Sequence, residues 1–351
     1  MNHRQLTFAR EFRGYSQSQL SSSIAGLSQP NLSKFEKGIG YLSENIQNEI
    51  INFLNFPKEF FDKKIYNVVE NGNYRKKSTI GKADVNNFEF RCKLVGYVID
   101  EMAEDIDWPD FKFKSLNVDE GFDPEYIASY TRKKCNIDPF KPVRDIITII
   151  ENNGIIVYEI DALEKFDGVS FHTDKGYPVI IINKNFSNDR KRFTLAHELG
   201  HLLMHNENEF PISSYRDKEK EANLFASEFL MPEMAIRNSL FRLKFGDLGE
   251  LKQYWLTSMS SIVRRASDLK CINSAEYKNF YIQLSRLGYT KREPGNVYID
   301  QPSIFSEGVK LIREGLGYTD DELIDYLSLP KDIIDELLTD KNEQKMKLLI
   351  W

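Results

Sequence analysis

The sequence predicts a multidomain protein that is mainly α-helical with a small β-sheet, and three observations lead to this prediction. A chain of 351 residues is long for a single hydrophobic core. Apolar residues recur at helical spacing along most of it, and β-branched runs are short and confined to the middle. We expect an all-α helix-turn-helix unit at residues 1–66, a linker and helical connector at 67–120, an α+β unit at 121–240 and a helical region at 241–351.

Composition limits the classes of protein to consider. The chain is 41% hydrophobic and 28% charged with a net charge of −6, so any DNA contact must be local rather than spread over the surface. Its three cysteines lie far apart without C-x-x-C spacing, which suggests a reducing compartment and no cysteine metal site. No signal peptide opens the chain and no apolar run approaches the length of a membrane span. We therefore expect a cytoplasmic protein with no membrane partner.

The first sixty residues are predicted to form four short helices separated by glycines, at 5–12, 17–24, 28–36 and 44–54. The middle pair is joined by a short turn containing Gly26, which is the layout of a helix-turn-helix. Ser28 is a good N-cap, and Pro30 suits the first turn of the helix that follows.

Two sequence runs in this unit, Gln17-x-x-Leu20 and Ser28-Gln29-Pro30-Asn31-Leu32-Ser33-Lys34-Phe35-Glu36-Lys37-Gly38, resemble the phage-repressor-type (XRE) DNA-binding domain. The resemblance implies that the second helix of the pair enters the major groove of a double-stranded operator. It places Gln29, Asn31 and Ser33 at base edges and Lys34 and Lys37 near phosphates. A bundle that binds protein, or that only forms a homodimer, remains an alternative because the local excess of positive charge is small.

Residues 63–82 are predicted to be a linker, because the stretch from Asn71 to Ser78 is polar, basic and rich in turn formers. A helix is expected from Asn86 to Asp105, with one apolar side that packs on the next unit as a connector.

The central unit is predicted to begin near Pro124 with helices at 124–135 and 143–151. A β-branched run typical of a strand follows at 155–160, and two further strands are predicted at 168–172 and 178–183. We expect the last of these to be an edge strand, to which an extended peptide could add through backbone hydrogen bonds.

An H-E-x-x-H motif follows the third strand on an apolar helix. Residues four apart share a helix face, so His197 and His201 can point at one ion with Glu198 beside it. Two neutral imidazoles suit Zn²⁺, which lowers the pKa of a bound water toward about 7. Glu198 can then take the water proton and later give it to a leaving amine. The alternative is a buried histidine pair without a metal, which would be costly to bury.

A second helix, predicted at 218–231 and stopped by Pro232, offers two carboxylates as the third ligand. Glu219 borders the packed side of this helix and is preferred, whereas Glu221 points further away. Asn223, one turn on from Glu219, is expected to hydrogen-bond one of the histidine ligands.

The two predicted helices are expected to pack closely. Gly200, a poor helix former, marks a place on the first helix where another element approaches. The small Ala222 and Ala226 would allow the second helix to come near at that point.

The motif residues together resemble the ImmA/IrrE family of bacterial metallopeptidases. The resemblance rests on Phe193-Thr194-Leu195-Ala196-His197-Glu198-Leu199-Gly200-His201-Leu202-Leu203-Met204-His205, Glu219-x-x-Ala222-Asn223-x-Phe225-Ala226, Leu230-Met231-Pro232, Gly168-Val169-Ser170-Phe171 and Val179-Ile180-Ile181-Ile182-Asn183. It implies a zincin-like fold for the central unit. It also implies that His197, His201 and Glu219 are the zinc ligands and that Glu198 is the catalytic base. The expected substrate is a regulatory protein, a helix-turn-helix repressor whose cleavage releases stress, prophage or defence genes.

Two functions of different class follow from these patterns. One is a zinc metalloendopeptidase coupled to its own DNA-binding unit. The other is a DNA-binding transcriptional regulator whose zincin domain senses a metal or ligand without proteolysis. The enzyme is favoured, because a sensor needs three ligands but has no use for Glu198. His172 and His205 are interpreted as structural or surface residues, and an oxyanion role for either of them or for Tyr215 has no support in the sequence.

The C-terminal region is predicted to be helical at 234–245, 250–269, 274–287, 303–314, 320–327 and 331–338. The C-terminal region contains a weak internal repeat of the N-terminal unit, because Gly317-Tyr318-Thr319-Asp320 and the residues that follow resemble Gly14-Tyr15-Ser16-Gln17 and the residues that follow them. In the C-terminal copy, the positions that correspond to the recognition helix carry Asp332, Asp335 and Glu336, which phosphates would repel. We expect either a protein-binding or sensing module or a helical cap with no separate role.

Overall fold

The computed structural model describes residues 1–63, 82–207 and 209–338. Within these ranges the chain is mainly helical with one three-stranded sheet, as the sequence predicts. The linker expected around residues 71–78 lies outside the described residues. None of the described helices combines the length and apolar character needed to cross a membrane.

The N-terminal unit contains four helices, α1 (His3–Phe12), α2 (Gln17–Ser23), α3 (Gln29–Glu36) and α4 (Glu44–Leu54). Each lies within two residues of its predicted bounds. Ser16 caps α2 through a capping box with Gln19, and the Ser28 side chain accepts a hydrogen bond from the Asn31 backbone at the start of α3. The turn between α2 and α3 contains Gly26 at a positive φ of 76°.

Helix α5 (Lys82–Met102) joins the N-terminal unit to the centre of the molecule. Phe90 packs edge-on against Phe8 of α1, with ring centroids 4.9 Å apart. Phe88 stacks on Phe166, which precedes the second strand, at 4.4 Å. The connector expected from the sequence is therefore present and contacts both sides.

The central elements are α6 (Pro124–Lys134), α7 (Ile146–Glu151), β1 (Ile156–Ile160), β2 (Gly168–His172), β3 (Pro178–Asn183), α8 (Asn188–Met204) and α9 (Lys218–Leu230). The strand order is β1-β3-β2, with β1 parallel and β2 antiparallel to β3. The prediction that β3 is an edge strand was therefore wrong. All six of its residues are buried, and such a continuous apolar run is typical of a strand covered on both faces. The two terminal strands are β1 and β2.

The sheet separates two hydrophobic clusters, because successive side chains of a strand point to opposite faces. Val179 and Ile181 belong to a cluster that includes α1, α4, α5 and the last helices of the chain. Ile180 and Ile182 belong to a cluster that includes α6 to α9. The sheet thus lies between the N-terminal helices and the helices that carry the motif residues.

The remaining helices are α10 (Glu233–Leu240), α11 (Leu248–Trp255), α12 (Met259–Asp268), α13 (Ser274–Arg286), α14 (Ile304–Lys310), α15 (Asp320–Leu327) and α16 (Lys331–Leu338), and a π-helical turn over Leu311–Gly315 continues α14. The single helix predicted over 250–269 was wrong. Leu256 has a positive φ of 57° that ends α11, and the Ser258 side chain caps α12.

The C-terminal helix pair α15–α16 resembles α2–α3 in its local construction. Thr319 forms a capping box with Glu322, as Ser16 does with Gln19. Two acidic residues of α16 contact other parts of the chain. Asp332 forms an ion pair with Arg13, and Glu336 forms an ion pair with Arg91. The unit boundaries expected from the sequence remain predictions.

Candidate metal centre

Helix α8 places the two motif histidines side by side in the interior. His197 is 8% and His201 6% exposed, and their Nε2 atoms lie 3.0 Å apart. The four-residue spacing puts both rings on one face of the helix, as predicted. Two nitrogen lone pairs at this separation repel each other unless a proton or a cation lies between them.

Close packing of α8 and α9 brings a carboxylate to the histidines. A Cβ added at Gly200 would lie 3.0 Å from the ring of Phe225, so no larger residue fits there without displacement. Ala222 and Ala226 are fully buried in the same contact. The expected approach of α9 at Gly200 is confirmed.

Glu219 completes a group of three donors. Its carboxylate oxygens lie 3.6 Å from His197 Nε2 and 3.4 Å from His201 Nε2. Ligands at about 2.0 Å from a tetrahedral metal ion are separated by about 3.3 Å. All three donor atoms lie within 4.8 Å of one another, so the group could hold a metal ion.

One observation tests whether these residues fit a metal. Glu219 Oε1 is buried and makes no hydrogen bond to any residue that the structure describes. A buried carboxylate oxygen without a partner is costly, and a metal ion would satisfy it. The donor set of two imidazoles and a carboxylate is also a common one for a catalytic metal. The residues present therefore fit a bound metal.

Glu198 lies beside this group and is held by the sheet. It is 2% exposed, and the Ser170 hydroxyl on β2 donates to its Oε2 over 2.7 Å. Burial raises the pKa of Glu198 to about 7, while His201 and the Ser170 hydrogen bond act in the opposite direction. In the sequence, Ser170 was noted only as part of a run that resembles the ImmA/IrrE family. No role for its hydroxyl could be predicted, because spacing along the chain does not show which strand residue faces α8.

Glu221, the competing carboxylate, lies away from the metal donors. Its Oε2 is 2.8 Å from His205 Nε2, and both of its oxygens accept hydrogen bonds from Arg216. The His205 ring in turn contacts His201. His205 was expected to be a structural or surface residue, but the structure places it against a candidate ligand.

Asn223 makes a different contact from the one expected. Its amide donates to the backbone carbonyl of Glu219 over 2.7 Å, within its own helix. The expected partner was a histidine ring. Asn223 therefore supports the backbone of the turn that carries Glu219.

His172 and Tyr215, whose roles the sequence leaves open, each contact a residue outside the group of metal donors. His172, at the end of β2, lies edge-on to Phe111 with centroids 6.4 Å apart, and burial lowers its pKa. Tyr215 is 83% exposed, and its hydroxyl lies 3.5 Å from Asp119. These contacts give no support to an oxyanion role.

The candidate DNA-contacting residues lie together on α3 and its end. Gln29, Asn31, Lys34 and Lys37 are exposed, whereas Ser33 is half-buried. The Gln29 amide donates to the Gln17 side chain over 2.9 Å, which links the starts of α3 and α2.

Comparison with known families identifies the central part of the chain. Residues 150–267 match the family Peptidase_M78, described as the IrrE N-terminal-like domain. The match covers about a third of the chain, runs from the end of α7 to α12, and includes Ser170, Glu198 and the three metal donors. This part of the chain is therefore similar to a metallopeptidase domain, which supports the ImmA/IrrE resemblance for these residues. No curated protein matches the chain. The XRE resemblance lies outside the matched residues.

Proposed function

We propose that the protein is a zinc-dependent endopeptidase that cleaves a regulatory protein, a helix-turn-helix repressor, in stress, prophage or defence gene control. Its own helix-turn-helix unit binds an operator in the cytoplasm and couples cleavage to that site. The observation that carries the enzymatic part is the grouping of His197, His201 and Glu219 around one point, with Glu198 held beside it.

Zinc is the metal that this donor set favours. Two imidazoles and one carboxylate leave a fourth tetrahedral position open, which is the arrangement of catalytic rather than structural zinc. When bound, zinc supplies Lewis acidity toward water and the scissile carbonyl near neutral pH.

Glu198 is the proton carrier of the proposed reaction. Ser170 donates to Oε2 and so leaves Oε1 to accept a proton from the attacking water. The same carboxyl group then gives the proton to the amine that leaves when the peptide bond breaks.

Strand β2 is the element proposed to align the substrate backbone. It is one of the two terminal strands of the sheet, and unlike the other, β1, it carries Ser170, whose hydroxyl contacts Glu198. An extended peptide can add to such an edge through backbone hydrogen bonds, which would lay it alongside Glu198. Because this recognition uses the backbone, the scissile segment must be extended or must unfold locally in the repressor.

Exposure and local charge support operator binding by the N-terminal unit. Four of the five candidate contact residues are exposed on one helix and its end, so they are accessible to DNA. Up to residue 40 the basic residues outnumber the acidic ones, with Arg4, Arg10, Arg13, Lys34 and Lys37 against Glu11 and Glu36. Arg10 and Glu36 form an ion pair with each other, and Arg13 pairs with Asp332 of α16, so the local positive charge available to phosphates lies mainly on Lys34 and Lys37.

Co-expression with the neighbouring genes of the source genome tests the proposal. We expect a neighbouring repressor to be shortened by the wild type but to stay intact with Glu198→Gln, while both proteins carry the same amount of zinc. Regulation that persists with Glu198→Gln, but is lost when Gln29, Asn31 and Lys34 are replaced, would instead support a sensor without proteolysis.

A further inference from the structure

His205 contacts His201 on the side away from the metal donors. The Nδ1 atoms of the two rings lie 2.8 Å apart. The opposite nitrogen of His201, Nε2, faces His197 Nε2 at 3.0 Å and Glu219 Oε1 at 3.4 Å. His201 therefore lies between the metal donors on one side and His205 on the other.

On its other side, His205 contacts a buried ion pair formed by Glu221 and Arg216. His205 Nε2 lies 2.8 Å from Glu221 Oε2, and Arg216 donates to both oxygens of Glu221 over 2.5 and 3.0 Å. The side chains of His205 and Arg216 are each 3% exposed, and that of Glu221 is 14% exposed. Asp119 lies 3.7 Å from the far side of Arg216. The atom of Arg216 on that side, Nη1, makes no hydrogen bond to a described residue, so the chain of hydrogen-bonded side chains runs from Arg216 through Glu221 and His205 to His201.

One arrangement of protons satisfies every contact in this chain. A carboxylate paired with arginine can only accept, so the Nε2 of His205 must carry its proton. The Nδ1 of neutral His205 is then an acceptor, and the Nδ1 of His201 must donate to it. In the neutral form that a metal ligand requires, the Nε2 of His201 then carries no proton and faces the point where His197 and Glu219 converge. The hydrogen bonds and the donor grouping thus require the same tautomer of His201.

We propose that His205, Glu221 and Arg216 are positioning residues that fix the tautomer and ring orientation of His201 as a metal ligand. We call these three residues the relay. Its function rests on the proposed metal centre, and it gives a role to residues that are not themselves candidate ligands. A histidine ligand that donates to a carboxylate becomes more basic and binds metal more tightly. Here the carboxylate acts through a second imidazole, so the charge of Glu221 reaches His201 through His205.

The relay explains why two carboxylates of one helix turn have different tasks. Glu219 lies against both candidate ligands, whereas Glu221 lies against the far side of His205. The backbone N–H of His205 also closes the end of α8 by donating to the His201 carbonyl. That backbone contact does not need an imidazole, so replacing the His205 side chain tests the relay separately from the helix end.

The test compares zinc affinity in full-length variants by competition with a chromophoric chelator. Glu221→Gln removes the charge but keeps the size, and we expect its zinc affinity to fall about 10- to 100-fold. His205→Phe keeps a ring without nitrogen atoms and should cause a similar loss. Glu221→Asp, which restores the charge, should lie closer to the wild type. Glu207→Gln is the control, because Glu207 lies in the preceding loop and pairs with Lys218, and its affinity should not change.

The visible spectrum of the Co²⁺-loaded protein provides a readout that a merely structural role would not move. We expect its bands to shift in Glu221→Gln and His205→Phe and to stay unchanged in Glu207→Gln. Wild-type zinc affinity and an unchanged spectrum in both relay variants would overturn the relay while leaving the metal centre intact. A wild-type protein that binds no zinc would overturn the proposed function and the relay together.

Discussion

The metal centre and the exposed face of α3 use polar side chains in opposite ways. Around His201 the polar groups are buried and contact one another, so each position depends on its neighbours. On α3, residues such as Asn31 and Lys34 point outward and depend little on the rest of the fold. Substitutions at the centre should therefore cause large and mutually dependent losses, whereas those on α3 should cause smaller and separable ones.

The largest effect is expected at Glu198. Replacement by Gln keeps the size of the side chain but removes the proton acceptor, so peptidase activity should fall by about 10²- to 10⁴-fold. Single-turnover cleavage of the identified substrate, together with the zinc content of the same preparation, measures this. Activity within a few-fold of the wild type would show that another group carries the proton.

The packing of α8 against α9 should be the next most sensitive feature. Gly200→Val forces two methyl groups toward Phe225, and we expect a loss of about 2–3 kcal/mol in the free energy of unfolding. Gly249→Val in α11 is the matched control, because a Cβ there meets only a methionine methyl at 4.0 Å. Urea denaturation of both variants makes the comparison. Because valine is a better helix former than glycine, a loss is expected only where the added methyl groups meet a neighbour, and equal changes in the two variants would contradict the close approach of α9.

On α3 we expect an effect of intermediate size. Asn31→Ala should weaken binding to a DNA fragment selected from a random pool by about 1–3 kcal/mol, because it removes a proposed contact to a base edge. Lys34→Gln should reduce the dependence of binding on salt instead, since it removes a proposed phosphate contact. Asn48→Ala, on the exposed side of α4, is the control and should bind as the wild type does. Fluorescence anisotropy at several salt concentrations separates these outcomes.

The last prediction concerns Glu151, a buried carboxylate that belongs to neither of the two compared regions. Burial raises its pKa to about 7, although its side chain accepts hydrogen bonds from the Ser303 and Ile304 backbones at the start of α14. The native state holds a proton that the unfolded state loses above its ordinary pKa of about 4.5. Stability from this group is therefore greatest below about pH 4.5 and is lost as the pH rises through 7.

Glu151→Gln should remove that decline. We expect the stability of the variant relative to the wild type to increase by roughly 3 kcal/mol between pH 4.5 and pH 8, because the pKa is raised from 4.5 to about 7. Thermal unfolding across this range measures it, and parallel pH profiles would contradict the assignment. A carboxylate whose pKa is raised by burial is not by itself a sign of catalysis, since burial raises the pKa of both Glu151 and Glu198.

The grouping of His197, His201 and Glu219 could be predicted from the sequence because the decisive spacings are local. His197 and His201 share a helix face by their separation alone, and the border of an apolar face distinguished Glu219 from Glu221. The approach at Gly200 was also predicted, since glycine is costly inside a helix without a packing reason.

The features that were predicted wrongly or not at all concern the arrangement of elements in space rather than the type of residue. Strand order depends on pairing between distant segments, so β3 was placed at the edge although its unbroken apolar run indicated a central strand. The break at Leu256 arises from one left-handed residue that propensity does not favour. The role of His205 depends on the side of His201 that it faces, which only the packed structure shows.

The central claim is that two adjacent helices hold one divalent ion through His197, His201 and Glu219. Elemental analysis after gel filtration of the wild type, Glu219→Gln and Glu221→Gln tests it most directly. The account predicts one zinc per chain in the wild type, little or none in Glu219→Gln, and zinc retained with weaker affinity in Glu221→Gln. A wild-type protein without metal, or equal losses in the two variants, would contradict it.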